Sequence, residues 1–310
     1  MLTFLAGGVG AARLLAGVVE VVERSRVTAV VNTGDDLVLH GLHISPDLDT
    51  VTYTLAGLDN QVTGWGVADE TWTTAAELEV LGGETWFKLG DRDLATHLFR
   101  TQRLSEGATL GVVTAELAAR RGIGVRLLPM SDDPVRTRLA LAGESSTEVA
   151  FQHYFVRLAH AVPVRAVRFE GADAAVPGPG VLAALESAET VVVCPSNPVV
   201  SIGPILAVPG IEAALRARRE SVVAVSPIVA GAALKGPADR LLRELGHESS
   251  VVGVARLYAP WVGTLVIDQA DADLAPAVER EGVRCVVAAT VMADRAQAAR
   301  LARHLLDLGA

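Results

Sequence analysis

Lysine, cysteine and aromatic side chains are all scarce in this 310-residue chain, and each scarcity excludes something. Aromatic residues make up 4% of the total, too few for a surface that stacks successive nucleic-acid bases. Basic residues number 27 against 36 acidic ones, a net charge of −9, so no cationic surplus exists to displace counterions from a phosphate backbone. The two cysteines, Cys194 and Cys285, sit in valine- and alanine-rich runs, where a thiol behaves as a small buried hydrophobe. A cystine framework or a zinc site needs more of them at closer spacing. Lys88 and Lys235 are the only lysines, every other strong base being arginine; against that compositional bias both lysines are conspicuous. No apolar run reaches the ~18 residues that span a bilayer. The longest, around 222–234, is broken by Ser226 and Pro227. Residues 1–6 carry no basic region and run straight into glycines, so a signal peptide is not expected and a cytoplasmic location is.

What the chain has in quantity is hydrophobic residues, 50% of the total, with a mean hydropathy of +0.37. This composition belongs to a soluble, folded chain rather than a disordered one. Valine-rich runs at 2–6, 27–31, 109–113, 125–128, 190–194, 221–225, 263–267 and 284–288 predict strands. They are almost continuously apolar, as parallel strands covered on both faces are. Helical patterns fall between them, for example at 13–24, 94–104, 211–219 and 296–306. The alternation predicts a doubly wound α/β fold, a mostly parallel Rossmann-like sheet with helices on both faces. The rhythm weakens over residues 131–179. The reading is a core of residues 1–130 and 180–310 with a small inserted α+β subdomain at 131–179. Apolar strands such as 151–156 are expected to find burial in a subunit interface, making the protein a homodimer.

Polar, Gly- and Pro-rich signatures follow several predicted strands at their carboxyl ends, the edge that carries the ligand crevice of an open parallel sheet. Gly7, Gly8 and Gly10 follow the first strand and open a helix, where backbone N–H groups favour a phosphate. The same residues also make a tight strand-to-helix turn. No Gly-Lys-Ser/Thr follows, so this is not a Walker loop, and Arg13 replaces the third glycine of the dinucleotide fingerprint. Arg13 reads either as a phosphate partner or as a surface cation.

The second strand leads into Asn32-Thr33-Gly34-Asp35-Asp36, then His40, His43, Ser45, Asp47, Asp49 and Thr50. So many carboxylates in one segment repel unless a cation or donors compensate, and oxygen-only ligands suit Mg²⁺ shared with a substrate phosphate. Asp47 and Asp49 also fit the first turn of a helix begun by Ser45-Pro46. Asp91, Arg92, Asp93 and His97 read as a capped helix with a surface ion pair, or as a grip, together with Lys88, on an acidic or ring-carbonyl substrate. Pro195-Ser196-Asn197-Pro198 and Ser201-Ile202-Gly203-Pro204 form rigid turns carrying hydroxyl and amide groups. No Gly-x-Ser-x-Gly elbow supports hydrolase chemistry.

Taken in order, Gly7 to Gly10, Asn32 to Asp36, Ser45-Pro46-Asp47-Leu48-Asp49-Thr50, Leu89 to His97, Leu128 to Asp133, Pro195 to Pro198, Ser201 to Pro204 and Ser226-Pro227-Ile228 resemble the 2-phospholactate transferase family of deazaflavin coenzyme F-420 biosynthesis. The resemblance covers nearly the whole chain. It implies an Mg²⁺-dependent transferase that moves a 2-phospholactyl or phosphoenolpyruvyl group from a GDP-activated donor to the ribityl hydroxyl of 7,8-didemethyl-8-hydroxy-5-deazariboflavin (Fo), releasing GMP. It further implies an Fo site at Asp49, Lys88, Asp91 and Arg92, with Asp49 catalytic. The nucleotide and phosphates would lie on Gly7, Gly8, Gly10, Arg13, Asn32, Ser196 and Asn197, and the metal on Asp35, Asp47 and Asp49. In the first loop Ala11-Ala12-Arg13 stands where archaeal members carry Thr-Pro-Lys, a form more like the actinobacterial members. Two other readings are a nucleotide-sugar-binding regulator of the same superfamily, which Asp49 and the Leu89–Asp93 segment argue against, and an NAD-dependent oxidoreductase, which Arg13 argues against.

Overall fold

A computed structural model describes residues 1–61, 64–143 and 148–308. Seven strands form the central sheet: β1 (Leu2–Ala6), β2 (Val27–Val31), β3 (Arg126–Pro129), β4 (Thr190–Val193), β5 (Val222–Val225), β6 (Thr264–Asp268) and β7 (Arg284–Ala288). All pairings are parallel, in the order β7-β6-β5-β4-β1-β2-β3. Winding runs outward from β1 through β2 to β3, then returns to β4 on the other side of β1. The order therefore reverses between β1 and β4, and the crevice above that pair is where such sheets bind ligands.

The near-continuous apolarity of the strands has a direct structural cause. Successive side chains point to opposite faces, and both faces are covered. Phe4, Ala29, Val31, Val192 and Val223 enter one core, while Leu5, Val30, Val191, Val193 and Ala224 enter the other. The first core is closed by α1 (Gly8–Val18) and the C-terminal helix Arg295–Leu308. Helix α1 starts five residues earlier than the periodicity predicts, because Gly7 alone separates it from β1. Gly17 lets it press against the C-terminal helix: a Cβ there would collide with the backbone and side chain of Ala298.

The run 109–113 is not a strand. Thr109 caps a helix, its hydroxyl accepting from Val112 N at 3.4 Å, and the helix runs over Leu110–Arg120. Val113, Thr114, Leu117 and Ala118 bury at helical spacing, a period that five residues of valine-rich sequence are too short to reveal.

Between residues 131 and 179 the chain makes a three-stranded antiparallel sheet of Arg136–Leu141 flanked by Glu148–Ala150 and Val164–Glu170. Residues 151–156 are helical rather than extended, entering a wide turn at His153–Arg157. Phe151 and Tyr154, three residues apart, are buried with Leu139, Val164, Val200 and Leu241 of the same chain. Their burial thus needs no partner subunit, which removes the reason for placing them in an interface.

The tight α1 contact generates a stability prediction. Gly17→Ala forces a methyl into packed backbone, and overpacking of this kind costs about 1–3 kcal/mol. The denaturation midpoint is expected to fall accordingly in a chemical melt, whereas an unchanged midpoint would show that the two helices separate freely.

Candidate active site

A cavity of about 760 Å³ opens above the β1–β4 junction. One end is formed by the glycine loop and by Pro195, Ser196 and Asn197 after β4. These two loops are locked together. Ser196 Oγ donates to Gly7 O at 2.8 Å and accepts from Gly7 N at 3.3 Å. Gly10 has no room for a side chain, because a Cβ would strike the carbonyl of Pro195. Asn197 caps the next turn, its Oδ1 accepting from Val199 N at 2.9 Å and Val200 N at 3.3 Å. Trp65, Trp86, Phe87, Phe151 and Phe155 also line the cavity.

The lining is also acidic. Asp35 follows β2, and Asp47 and Asp49 stand in the first turn of α2 (Pro46–Leu55), which Pro46 starts. All three are buried. Asn32 does not line the cavity. It stands behind Asp47, donating from Nδ2 to Asp47 Oδ2 at 2.9 Å while its Oδ1 accepts from Gly34 N at 2.8 Å. Burial, outweighing the Asn32 amide and the Gly8 backbone N–H, pushes the Asp47 carboxyl up to about 6. Asp35 is pushed well above the usual carboxylate range, first by burial and then by the charges of Asp47 and Asp36. Burial likewise raises Asp36 to about 7, against the pull of Arg136 and the hydroxyl of Ser45.

Asp35 Oδ1 is buried with no hydrogen-bond partner. Two mutually repelling carboxylates with an unpartnered oxygen fit a hard divalent cation. Among the described residues no three His, Cys, Asp or Glu side chains gather closely enough to hold a metal unaided.

Asp49 is held differently. Arg100, on the helix Asp91–Ser105, forks its carboxylate: Nη1 donates to Oδ2 at 3.1 Å and Nη2 to Oδ1, with both side chains buried. Ser45 N adds a 3.3 Å bond to Oδ2. Both oxygens being taken, Asp49 is less available to a metal than Asp35 or Asp47. Arg100 Nη1 also lies 3.3 Å from His97 Nδ1. A guanidinium has only donors, so a hydrogen bond there needs Nδ1 as the acceptor; Nε2 lies 3.2 Å from Asp93 Oδ1 without the alignment of a hydrogen bond. Tyr53 donates to that same oxygen at 2.5 Å. Tyr53, Asp93 and His97 all line the cavity, next to Asp49.

The remaining expected residues divide. Lys88 lines the cavity, whereas Asp91 and Arg92 do not. Asp91 caps a neighbouring turn, accepting from Thr71 Oγ1 at 2.5 Å and from Thr73 N and Thr74 N at 3.0 Å each, which holds its carboxyl far below the usual range. Arg92 is exposed and donates to Ala68 O at 2.6 Å. Arg13 also lies off the lining, donating to Met292 O at 3.3 Å. Motif reasoning does not reach Arg100, Tyr53 or Lys235 as site residues. The available signal for Arg100 is its place three residues after His97, on the same helical face.

The raised carboxyls set a pH dependence. In the folded, metal-free protein Asp35 and Asp36 keep protons that unfolded carboxyls, titrating near 4, have lost, so stability falls as pH rises. His43 has its pKa lowered by burial, then by Arg136 and Arg100, and so opposes this trend only below about 6.5. Between pH ~6.5 and ~8, in chelator, the denaturation free energy is expected to decrease with pH. A flat or rising profile would contradict the buried, unpaired charge.

Comparison with known proteins agrees with this geometry. A Streptomyces griseus protein named phosphoenolpyruvate transferase is 48% identical over 309 residues, covering 98% of this chain and 96% of its own length. One of the same name from Kitasatospora aureofaciens is 47% identical over 308 residues, with the same coverage. A crystal structure of a UPF0052-family protein from Bacillus halodurans shares the fold, with a TM-score of 0.61 at 16% identity and 98% of each chain covered. The family described as 2-phospho-L-lactate transferase CofD matches residues 2–305, and the chain belongs to that family.

Proposed function

We propose that this protein transfers a phosphoenolpyruvyl group from a GDP-activated donor to the ribityl hydroxyl of Fo, releasing GMP, as a cytoplasmic step of coenzyme F-420 biosynthesis. The observation that carries the reading is one cavity lined by the glycine loop, by the buried acids Asp35, Asp47 and Asp49, and by five aromatic rings. Its volume, about 760 Å³, falls in the range of small-molecule sites. The names of the relatives support enolpyruvate, rather than lactate, as the donor acid.

In this reading the donor's diphosphate lies over Gly8 to Gly10 and the deazaflavin tricycle lies against Trp65, Trp86 and Phe155. The hydroxyl oxygen forms a bond to the distal phosphorus, the bond from that phosphorus to the GMP oxygen breaks, and the hydroxyl proton is lost. Mg²⁺, held by Asp35 and Asp47, would supply charge neutralisation on the phosphates. The protein's main task is then positioning, because phosphoryl transfer passes through a loose transition state that needs little base assistance. Asp49, with its two oxygens fixed by Arg100, is an oriented acceptor for the ribityl hydroxyl. The His97–Asp93–Tyr53 array braces Arg100 from the far side.

Two measurements test this. Product is expected only with donor, Fo and Mg²⁺ together, and Fo fluorescence should report binding to the protein; full turnover in excess chelator would overturn the metal assignment. Donor or nucleotide binding without Fo binding would favour the regulator reading instead. Asp49→Asn keeps shape but loses charge. An orienting role predicts a raised KM for Fo with a kcat loss of about tenfold or less. A loss of roughly a hundredfold or more in kcat would instead mark Asp49 as a proton-transfer group or metal ligand.

A further inference from the structure

The two lysines stand out in a chain that otherwise uses arginine for its strong bases, and both line the same cavity. Lys88 approaches from the segment before the helix Asp91–Ser105. Lys235 approaches from the opposite direction, on the turn between a two-stranded hairpin (Ile228–Val229 with Ala232–Ala233) and the helix Ala238–Glu244. Its ammonium rests directly on the backbone of Gly64, where a Cβ would overlap Nζ. Gly64 precedes Trp65, and Arg13, on the helix that the glycine loop opens, is near enough to act on the Lys235 charge, so Lys235 lies between that helix and Trp65.

Among the described residues no carboxylate forms an ion pair with Lys235. Its surroundings instead depress its pKa, first through partial burial and then through the charge of Arg13. Lys235 thus brings to the cavity a positive charge with no carboxylate paired to it. Such a charge calls for an anionic ligand. The compact ammonium also has a steric reason to be lysine. A guanidinium is planar and broader, and the Gly64 backbone leaves Nζ no spare room.

We infer that Lys235 is a positioning residue for the carboxylate of the donor's three-carbon acid, holding it between the helix that the glycine loop opens and Trp65. This rests on the transferase reading above. In that reading the acid is attached to the distal phosphate, so it lies between the nucleotide on the glycine loop and Fo among the aromatics, where Lys235 stands. GDP carries the diphosphate but lacks the acid, which separates the two anionic parts of the donor.

The test is carried out on the full-length protein, with wild-type turnover of donor and Fo established first; failure there would overturn the transferase reading itself, before Lys235 is at issue. Lys235→Gln is expected to raise the KM for the donor at least tenfold, while the Kd for GDP and the KM for Fo change less than twofold. Lys235→Arg should restore less than half of that loss. Lys235→Met, which keeps the length of the side chain without its charge, should raise the donor KM in the same way as Lys235→Gln. Equal weakening of donor and GDP would overturn the proposal by placing Lys235 on the diphosphate, as would a donor KM within twofold of wild type or full rescue by arginine.

Discussion

Four carboxylates, Asp35, Asp36, Asp47 and Asp49, are folded against one region of the molecule, and a buried guanidinium forks only the last of them. Much of the site follows from this unequal distribution of charge. A buried charge without a partner shifts towards its neutral form, and burial raises Asp35, Asp36 and Asp47 in this way. Asp49 is instead paired, with Arg100 forking its two oxygens and Ser45 N on one of them. Truncating one member of such a buried pair strands the other, typically at a cost of about 3–5 kcal/mol. The free carboxylates therefore suit a cation that arrives with the substrate, and the forked one suits a fixed hydrogen-bond acceptor.

The sheet topology explains why these groups meet. Reversal of the strand order between β1 and β4 leaves a gap above the junction, and loops from both strands border it. The Ser196 bridge to Gly7 and the contact of Gly10 with Pro195 tie the two loops into one rigid surface. The acidic segment after β2 reaches the same gap from beside β1. Aromatic residues, though few overall, gather here: Trp65, Trp86, Phe87, Phe151 and Phe155 line a single cavity.

Much of this was legible in the sequence, for definite reasons. Strands buried on both faces read as continuous valine-rich runs, and turn chemistry after them marks the ligand edge. The run at 109–113 misled because a short apolar stretch has no period, and Thr109 declares itself as a cap only beside the whole helix. Asn32, Asp91 and Arg92 have the chemistry of ligand-binding residues. In the fold they support backbone or another side chain, a distinction set by the direction of each side chain rather than by spacing. Arg100 and Lys235 were hidden for the opposite reason. Each lies far along the chain from the group it serves, so no local motif contains both partners.

The central claim is that two substrates meet head to head in one cavity, with the ribityl hydroxyl at Asp49 and the phosphates at the glycine loop. A crystal structure of the protein with GDP, Mg²⁺ and Fo tests it most directly. The account predicts the distal phosphate between Gly8 to Gly10 and the Asp35–Asp47 pair, and the deazaflavin against Trp65 and Trp86 with its ribityl chain directed to Asp49. Fo bound instead in the separate cavity of about 340 Å³ beside Asp36 and Arg136, on the far side of Arg100, would contradict it.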